Sequence, residues 1–267
     1  MGDPIADHLA DVERDRYSAS TVTARRAVLA TLPDPLGMDR AAVIAWWATR
    51  QTRLDGGPRA SSSLSSERAH AAEFWKWAMR EGMIDRNPAD WLPKVRQTKT
   101  MAIAVPEADL SRLLTDADPP VRRMIALGAM AGLRSAEIAV VRWTDIDRDS
   151  GVLWVRGGKG GKDRSVPLSG GLLGELGEPE GSGPIIGRTM SAKAVSVAVS
   201  RFLRAHGSDY TAHKLRARYA TRFLAATGDA IATAKVLGHS DLSSVLRYAV
   251  ASSDTMRRGA EAAGRIG

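Results

Sequence analysis

Apolar residues recur at helical spacing from residue 5 to about residue 83 of this 267-residue chain. Turn signals interrupt the pattern at Leu32-Pro-Asp-Pro-Leu36 and at Asp55-Gly-Gly-Pro58. The spacing therefore predicts a bundle of four helices, the last of them over about residues 62–80. Five aromatic residues lie on the last two predicted helices: Trp46, Trp47, Phe74, Trp75 and Trp77. We interpret these side chains as core residues in preference to a surface that stacks on bases.

The helical pattern breaks at Gly82, at Asn87-Pro88 and at Pro93. A polar stretch with three cations follows: Lys94, Arg96 and Lys99. The predicted organisation is a first domain over residues 1–93, a basic linker over residues 94–103 and a second domain over residues 104–267, with a C-terminal tail from about residue 249. The linker could cross a phosphate backbone or act as a solvated, flexible connector.

The second half of the chain begins with a helical pattern. A helix is predicted to start at Val105-Pro-Glu-Ala-Asp-Leu110, where acidic residues in the first turn suit the helix dipole. Further helices are predicted over about residues 120–131 and 134–141, separated by Gly132, and helix resumes from about residue 191.

Strand character appears between these helices. Residues 151–156 and 164–168 flank a glycine-rich turn, which predicts a hairpin, and Pro184-Ile-Ile-Gly187 is predicted to add a third, edge strand. The fold class is therefore mainly α with a small β-sheet. It combines a four-helix first domain with a mixed α/β second domain.

The composition narrows the class of partner. A formal charge of +8 and a pI near 10.1 favour a polyanion such as nucleic acid. The absence of cysteine excludes disulfides, thiolate metal sites and a cysteine nucleophile. The five histidines form no HExxH pair, so no metal or other cofactor is predicted. Neither a membrane span nor a secretion signal is indicated, and the expected compartment is the cytoplasm.

Four short motifs in the second half carry candidate chemistry, and Tyr248 follows the last of them. They are Gly132-Leu-Arg-Ser-Ala-Glu-Ile138, Arg156-Gly-Gly-Lys-Gly-Gly-Lys-Asp-Arg164, His213-Lys-Leu-Arg216 and Leu237-Gly-His-Ser240. On a helix, His213 and Arg216 would project from one face with their Cβ atoms roughly 5–6 Å apart, close enough to grip one phosphate. The second motif is not a P-loop, because Arg156 and Asp163 replace the required residues.

In this order and spacing the motifs resemble the active site of the tyrosine recombinase family, which includes phage integrases and the Xer recombinases. The resemblance covers residues 132–248. For the first domain it concerns only the organisation of the chain, in which a helical domain precedes the catalytic domain. It implies a helical core-binding domain that closes with the catalytic domain around DNA. The chain is similar to a compact member of the family, without an arm-binding domain.

The resemblance implies that three side chains hold the scissile phosphate. Arg134 and Arg216 would each bind a non-bridging oxygen, and His239 would donate a hydrogen bond. Arginine suits this task because its planar fork donates two hydrogen bonds and stays charged. Glu137 matches an acidic position that supports the site. Without the resemblance, Arg134 and Glu137 would be interpreted as a surface salt bridge.

The resemblance assigns proton transfer and attack to three further residues. Tyr248 would attack and form a 3′-phosphotyrosyl link, His213 would accept or relay its proton, and Lys159 would protonate the leaving 5′ oxygen. Lys162 is the rival of Lys159 for this role. Ala217 stands where the family usually has a polar residue, so an auxiliary contact is expected to be missing.

Geometry constrains the nucleophile. On one straight helix the nine residues from His239 to Tyr248 would rise about 13.5 Å and turn about 900°, which puts the two side chains on opposite faces. We therefore predict that the helix carrying Tyr248 begins after His239, with Ser240 or Asp241 as its N-cap.

The expected function is site-specific DNA recombination by a phage or mobile-element integrase. The enzyme would need neither metal nor ATP, and would form a homotetramer on two double-stranded core sites and pass through a Holliday junction. A directionality factor is a further candidate partner. Cations predicted to contact DNA are Arg25, Arg26, Arg68 and Lys76 in the first domain, Lys94, Arg96 and Lys99 in the linker, and Lys162.

Several alternatives remain open. An Xer-like resolvase of chromosome or plasmid dimers is the nearest, and a non-catalytic, sequence-specific DNA-binding protein is the alternative of another class. A type IB topoisomerase uses similar chemistry but would relax DNA without pairing sites. A metal-dependent DDE transposase is disfavoured because no carboxylate triad stands out.

Overall fold

The computed structural model describes residues 2–15, 17–96, 105–157, 163–238 and 245. The chain divides into two compact units, residues 1–100 and 101–267. This division falls inside the stretch that the sequence predicts as the linker. Among the described residues, no helix is both long and apolar enough to cross a membrane.

The first unit contains the four predicted helices. They are α1 (Pro4–Arg14), α2 (Ala19–Leu29), α3 (Arg40–Arg50) and α4 (Ser61–Arg80), and a 3₁₀ helix follows at Pro88–Trp91. Side-chain oxygens of Asp3, Ser18 and Asp39 accept hydrogen bonds from backbone N–H groups in the first turns of α1, α2 and α3. Such caps satisfy donors that have no partner inside the helix, which is why the helices begin at these residues.

The aromatic residues of α3 and α4 form the core of this unit, as predicted. All five are buried. Three of these tryptophans donate their indole N–H groups to partners inside the protein: Trp46 donates to Thr31, Trp75 to the carbonyl of Pro35, and Trp77 to Asp11. Buried indoles with internal partners pack the helices together and present no face for base stacking.

The second unit combines seven helices with a small sheet among the described residues. The helices are α5 (Glu107–Asp116), α6 (Pro119–Met130), α7 (Ser135–Ile138), α8 (Gly170–Leu176), α9 (Ala192–Ala205), α10 (Ala212–Thr227) and α11 (Ala230–Leu237). A 3₁₀ helix lies at Trp143–Asp145. The sheet has the antiparallel order β1 (Ile146–Asp147), β2 (Val152–Val155) and β3 (Arg164–Pro167). The mainly α fold class with a small sheet is thereby confirmed.

The prediction of the third strand was wrong. The edge strand is β1, which pairs with β2 through Ile146 and Leu153. Residues 184–187 form a turn, apart from an isolated bridge between Pro184 and Arg142. Ile185 and Ile186 are buried in the core of the unit. Their apolar character therefore reflects burial, and a short apolar run cannot by itself distinguish a strand from a buried turn.

Helix α6 is the centre of the second unit and leads into the candidate site. Every residue from Arg123 to Ala129 is buried, and the helix packs against α5, α7, α8, α9 and α10. A helix that is enclosed on all sides anchors the elements around it. Gly132 follows α6 with a positive φ of 66° and turns the chain toward α7.

Candidate active site

The first motif forms the beginning of α7, with Arg134 at the N-cap and Glu137 at the third helical position. Glu137 Oε2 accepts from the backbone N–H of Arg134 at 2.7 Å, and Oε1 accepts from Arg134 Nη1 at 2.8 Å. The ion pair that the sequence offered as an alternative is therefore present. It is not a surface pair, however, because the side chain of Glu137 is only 5% exposed.

Two further arginines approach the same carboxylate. Arg164, the first residue of β3, donates from Nη1 and Nη2 to the two oxygens of Glu137 at 2.7 and 2.9 Å. Arg216 Nη1 lies 3.7 Å from Glu137 Oε2 and also donates to the carbonyl of Gly132. We call Arg134, Arg164, Arg216 and Glu137 the arginine cluster. With three guanidinium groups and one carboxylate, the arginine cluster carries a net charge of two positive units.

The arginine cluster also holds the end of α11. Arg164 Nε donates to the carbonyl of Val236 at 2.8 Å, Arg216 Nη2 to that of Leu237 at 2.6 Å, and Arg134 Nη2 to that of Gly238 at 2.9 Å. The last carbonyls of a helix have no partner within it and carry the negative end of its dipole. Three arginines from distant parts of the chain thus bind the backbone that leads directly into His239.

Glu137 is ionised in this environment. Burial raises the pKa of a carboxyl group because it penalises the charged form. At Glu137 the hydrogen bonds from Arg164 and from the backbone of Arg134 outweigh burial and hold its pKa below the ordinary value of 4.5. An ionised carboxylate only accepts hydrogen bonds, so Glu137 serves to anchor the arginines.

Gly132 allows this convergence. A Cβ atom on this residue would lie 2.5 Å from Cδ1 of Tyr219 and 3.0 Å from Cδ2 of Leu237. The first motif therefore packs directly against both α10 and α11 at a position where only glycine fits. Contact at this point brings Arg134 close to the other members of the arginine cluster.

The third motif, His213-Lys-Leu-Arg216, lies in the first turns of α10, whose N-cap is Thr211. His213 and Arg216 are one turn apart, as predicted. Their surroundings differ: His213 is exposed, whereas the side chain of Arg216 is only 4% exposed. Arg134 is the more accessible of the two predicted phosphate-binding arginines, with 28% of its side chain exposed.

The tyrosines of the second unit that the structure describes are poor nucleophiles. Burial raises the pKa of Tyr219 to about 12, although Arg164 acts in the opposite direction. Tyr210 donates its hydroxyl hydrogen to Asp109 at 3.0 Å. Both phenols therefore favour the protonated form.

Several predicted residues lie outside the described part of the chain. They are Lys99, Lys159, Lys162, His239 and Tyr248. The structure does show that α11 ends at Leu237 and that Gly238 adopts a left-handed conformation with φ of 65°. The helix preceding His239 thus ends before that residue. The beginning of the helix that carries Tyr248 stays a prediction.

The predicted DNA contacts of the first unit fall into two groups. Arg25 is buried, donates to His8 Nε2 at 3.2 Å and lies over the ring of Tyr17. It is therefore a packing residue rather than a surface cation, and the expectation for it is corrected. Arg68 is half-buried and donates to the carbonyl of Ala89 at 3.2 Å. The remaining described candidates are exposed: Arg26, Lys76, Lys94 and Arg96.

Sequence reasoning missed the part that Arg164 plays in the cluster. The strand pattern could have indicated that Arg164 is buried, because residues two apart in a strand point to the same face. Val166 is buried, so Arg164 shares the buried face of β3. A charged side chain on a buried face requires a partner of opposite charge. Glu137 is that partner.

A comparison with protein families supports the interpretation of the motifs. Residues 105–254 match the model of the phage integrase family. This stretch contains all the residues of the arginine cluster and all the motifs identified in the sequence. It also includes Tyr248.

Xer recombinases are among the curated relatives. The chain is 29% identical over 222 residues to the tyrosine recombinase XerD of Ralstonia nicotianae, a match that covers 74% of this chain and 71% of the relative. It is 29% identical over 272 residues to the tyrosine recombinase XerC of Xanthomonas campestris pv. campestris, covering 92% and 82%.

Solved structures of integrases share the fold. A lambda integrase (residues 75–356) dimer bound to a COC′ core site superposes with a TM-score of 0.75 at 18% identity, covering 92% of this chain and 93% of that one. The Tn1549 transposon integrase in complex with circular intermediate DNA gives 0.72 at 17% identity, covering 96% and 98%.

Proposed function

Because the chain belongs to the phage integrase family, we propose that it is a site-specific recombinase that cuts and rejoins double-stranded DNA through a 3′-phosphotyrosyl intermediate. One observation carries this proposal. Arg134 and Arg216, from two separate motifs, converge on Glu137 and on the backbone that precedes His239. A cluster with two net positive charges and one accessible guanidinium suits a phosphodiester whose negative charge grows during attack.

The arginines have different parts in this proposal. Arg134 would bind a non-bridging oxygen of the scissile phosphate, since its side chain is partly exposed. The side chain of Arg216 is buried, and it would stabilise the phosphate through its positive charge. The contribution of a buried charge is large because the surroundings screen it less than water does. Glu137 keeps both guanidinium groups in place.

The proton carriers and the nucleophile complete the reaction. His213 is exposed in the first turn of α10 and would accept or relay the proton of Tyr248. Tyr248 would form a bond to phosphorus as the 5′ oxygen leaves with a proton from Lys159 or Lys162. The phosphotyrosyl link keeps the energy of the broken bond, so the religation step would require neither metal nor ATP.

Covalent trapping tests this function. Sites are first recovered from a genomic DNA library as fragments that become covalently attached to the protein, and a nicked suicide substrate is then built from the recovered site. We expect a protein–DNA adduct in EDTA and without ATP. Tyr248→Phe should form none, although it should still bind DNA, because phosphate contacts do not require the phenol.

Tyr219→Phe is the matched control for this experiment. Tyr219 lies against the first motif, and the raised pKa of its phenol makes it a poor nucleophile. The control should form the adduct as the wild type does. The proposal fails if the wild-type protein forms no adduct, or if Tyr248→Phe forms it equally well. Retained DNA binding without an adduct in the wild type would favour the non-catalytic DNA-binding protein.

The biological role is proposed as that of a phage or mobile-element integrase. Structural likeness to the lambda and Tn1549 integrases is consistent with this role. The Xer relatives, which match up to 92% of the chain, favour the second candidate, a resolvase of chromosome or plasmid dimers. Recovered sites distinguish the two roles: an integrase would join two different DNA sequences, whereas a resolvase would recombine two copies of one sequence.

The assembly belongs to the same proposal. We expect four protomers on two core sites in the bacterial cytoplasm, with strands exchanged in pairs through a Holliday junction. Light scattering of the protein on paired sites, together with gel detection of a four-way junction, would test this assembly. Relaxation of supercoiled DNA without paired sites would indicate a topoisomerase instead. A requirement for a directionality factor would appear as excision that needs an added host or element extract.

A further inference from the structure

Arg164 joins three parts of the second unit. It begins β3, shortly after the stretch of sequence that contains Lys159 and Lys162. Its guanidinium binds both carboxylate oxygens of Glu137 and, through Nε, the carbonyl of Val236 in α11. The side chain is 8% exposed, so these contacts are shielded from water.

The geometry points to Arg164 as a positioning residue of the reaction, an inference that rests on the proposed function. Glu137 links Arg164 to the accessible Arg134, because it binds each of them through a carboxylate oxygen at 2.7 to 2.9 Å. Arg164 therefore determines where Glu137 places Arg134. Through Val236 it also determines where the backbone that leads into His239 lies.

Close packing at Gly238 supports this role. A Cβ atom on Gly238 would lie 3.1 Å from both Cδ and Nη1 of Arg164. The aliphatic part of Arg164 thus touches the residue just before His239, while the guanidinium holds Glu137. A lysine in this position would keep the positive charge but could not bind both carboxylate oxygens and a carbonyl at once.

Arg123 provides a matched control. It is also buried, and it donates to the carbonyls of Leu176 and Ile185 and to the carboxylate of Glu180. None of these partners belongs to the arginine cluster. Arg123→Lys should therefore lower stability in the same way as Arg164→Lys but leave the chemical step unchanged.

The first measurement is the single-turnover rate of suicide-substrate cleavage at saturating protein, well below the unfolding temperature of either variant. We expect Arg164→Lys to cleave about 100-fold more slowly than wild type, a loss of the size that a shift of about 1 Å in the site can cause. Arg123→Lys should cleave at the wild-type rate. Equal rates for the two variants would overturn the inference. If Arg164→Lys does not fold, Arg164→Gln, which retains a donor for Val236, takes its place.

The second measurement separates positioning from general loosening. A substrate with a methyl group in place of one non-bridging oxygen has no charge at the scissile phosphorus. Displacement of an arginine should therefore slow the cleavage of this substrate less than the cleavage of the charged substrate. The deficit of Arg164→Lys should shrink by about tenfold or more on this substrate. An unchanged deficit would contradict a role through Arg134.

Amide hydrogen exchange gives a readout that is independent of activity. The peptide covering residues 232–238 should exchange faster in Arg164→Lys than in wild type or Arg123→Lys, because a carbonyl contact of α11 is lost. Unchanged exchange would overturn the inference. If wild type forms no covalent adduct, the proposed function fails, and that result is distinct from a loss of activity confined to Arg164→Lys.

Discussion

Arg164 binds Glu137 through two parallel hydrogen bonds, from Nη1 to Oε1 at 2.7 Å and from Nη2 to Oε2 at 2.9 Å. Both side chains are less than a tenth exposed. A bidentate pair in this environment is strong and directional, and it cannot be broken without leaving a buried charge unpaired. The consequences of this relationship can be measured.

Glu137→Gln is expected to lower the free energy of unfolding by about 3 kcal/mol or more, because three guanidinium groups would lose the charge that pairs with them. Urea unfolding at neutral pH measures the change. The matched control is Glu180→Gln, which removes the partner of Arg123 on an exposed side chain and should cost about 1 kcal/mol or less. Equal losses in the two variants would show that burial of the carboxylate does not matter.

Acidification is expected to destabilise the first unit through His8. Burial, followed by the charge of Arg25, lowers the pKa of His8 from 6.5 to about 4. Between these values the unfolded chain binds a proton that the folded protein does not, so the associated stability is complete above pH 6.5 and declines as pH falls toward 4. The loss is on the order of 3 kcal/mol. Urea unfolding at several pH values should show a weaker pH dependence in His8→Gln, and an identical dependence would contradict this assignment.

Gly132→Ala is expected to destabilise the protein more than Gly228→Ala does. Both glycines have a positive φ, of 66° and 67°, which costs alanine about 1–2 kcal/mol. At Gly228 a Cβ would meet open space, whereas at Gly132 it would overlap the ring of Tyr219. This overlap adds about 1–3 kcal/mol. Thermal or urea unfolding compares the two, and equal destabilisation would contradict the tight contact between the first motif and α10.

Arg25 and Arg26 are neighbours in sequence, but their replacement is expected to affect stability differently. Arg25→Ala should lower the free energy of unfolding, because the buried side chain packs against His8 and Tyr17. Arg26→Ala should leave it within about 0.5 kcal/mol, since that side chain is exposed. If Arg26 contacts a phosphate, its loss should reduce the slope of log affinity against log salt by about 0.9. DNA titrations at several salt concentrations measure this slope, and no change would remove Arg26 from the predicted contacts.

The local parts of the fold were predictable from sequence. The four helices of the first unit follow from apolar spacing and from capping residues such as Asp3 and Ser18. The hairpin of β2 and β3 follows from two β-prone runs around a glycine-rich turn. The third strand was not predictable, because β1 has only two residues and forms only where the fold places it beside β2.

The candidate site was predictable in part. Motif order selected Arg134, Glu137, His213 and Arg216 as candidates, and the structure brings Arg134, Glu137 and Arg216 together. Motif order did not show that Arg216 is enclosed or that Arg25 is buried. Charge and exposure are separate properties, and burial of an arginine depends on which groups the rest of the fold places around it.

Helical periodicity, turn residues and the order of the motifs are local properties, so the residues alone predict a two-part organisation and carry the family resemblance. The residues alone do not determine which groups pair with each charged side chain. Glu137 binds Arg164 from a strand 27 positions later, and Arg216 binds a carbonyl 21 positions later. Such contacts arise only when α7, β3, α10 and α11 pack together, because a buried charge is stable only where the folded chain supplies its partner.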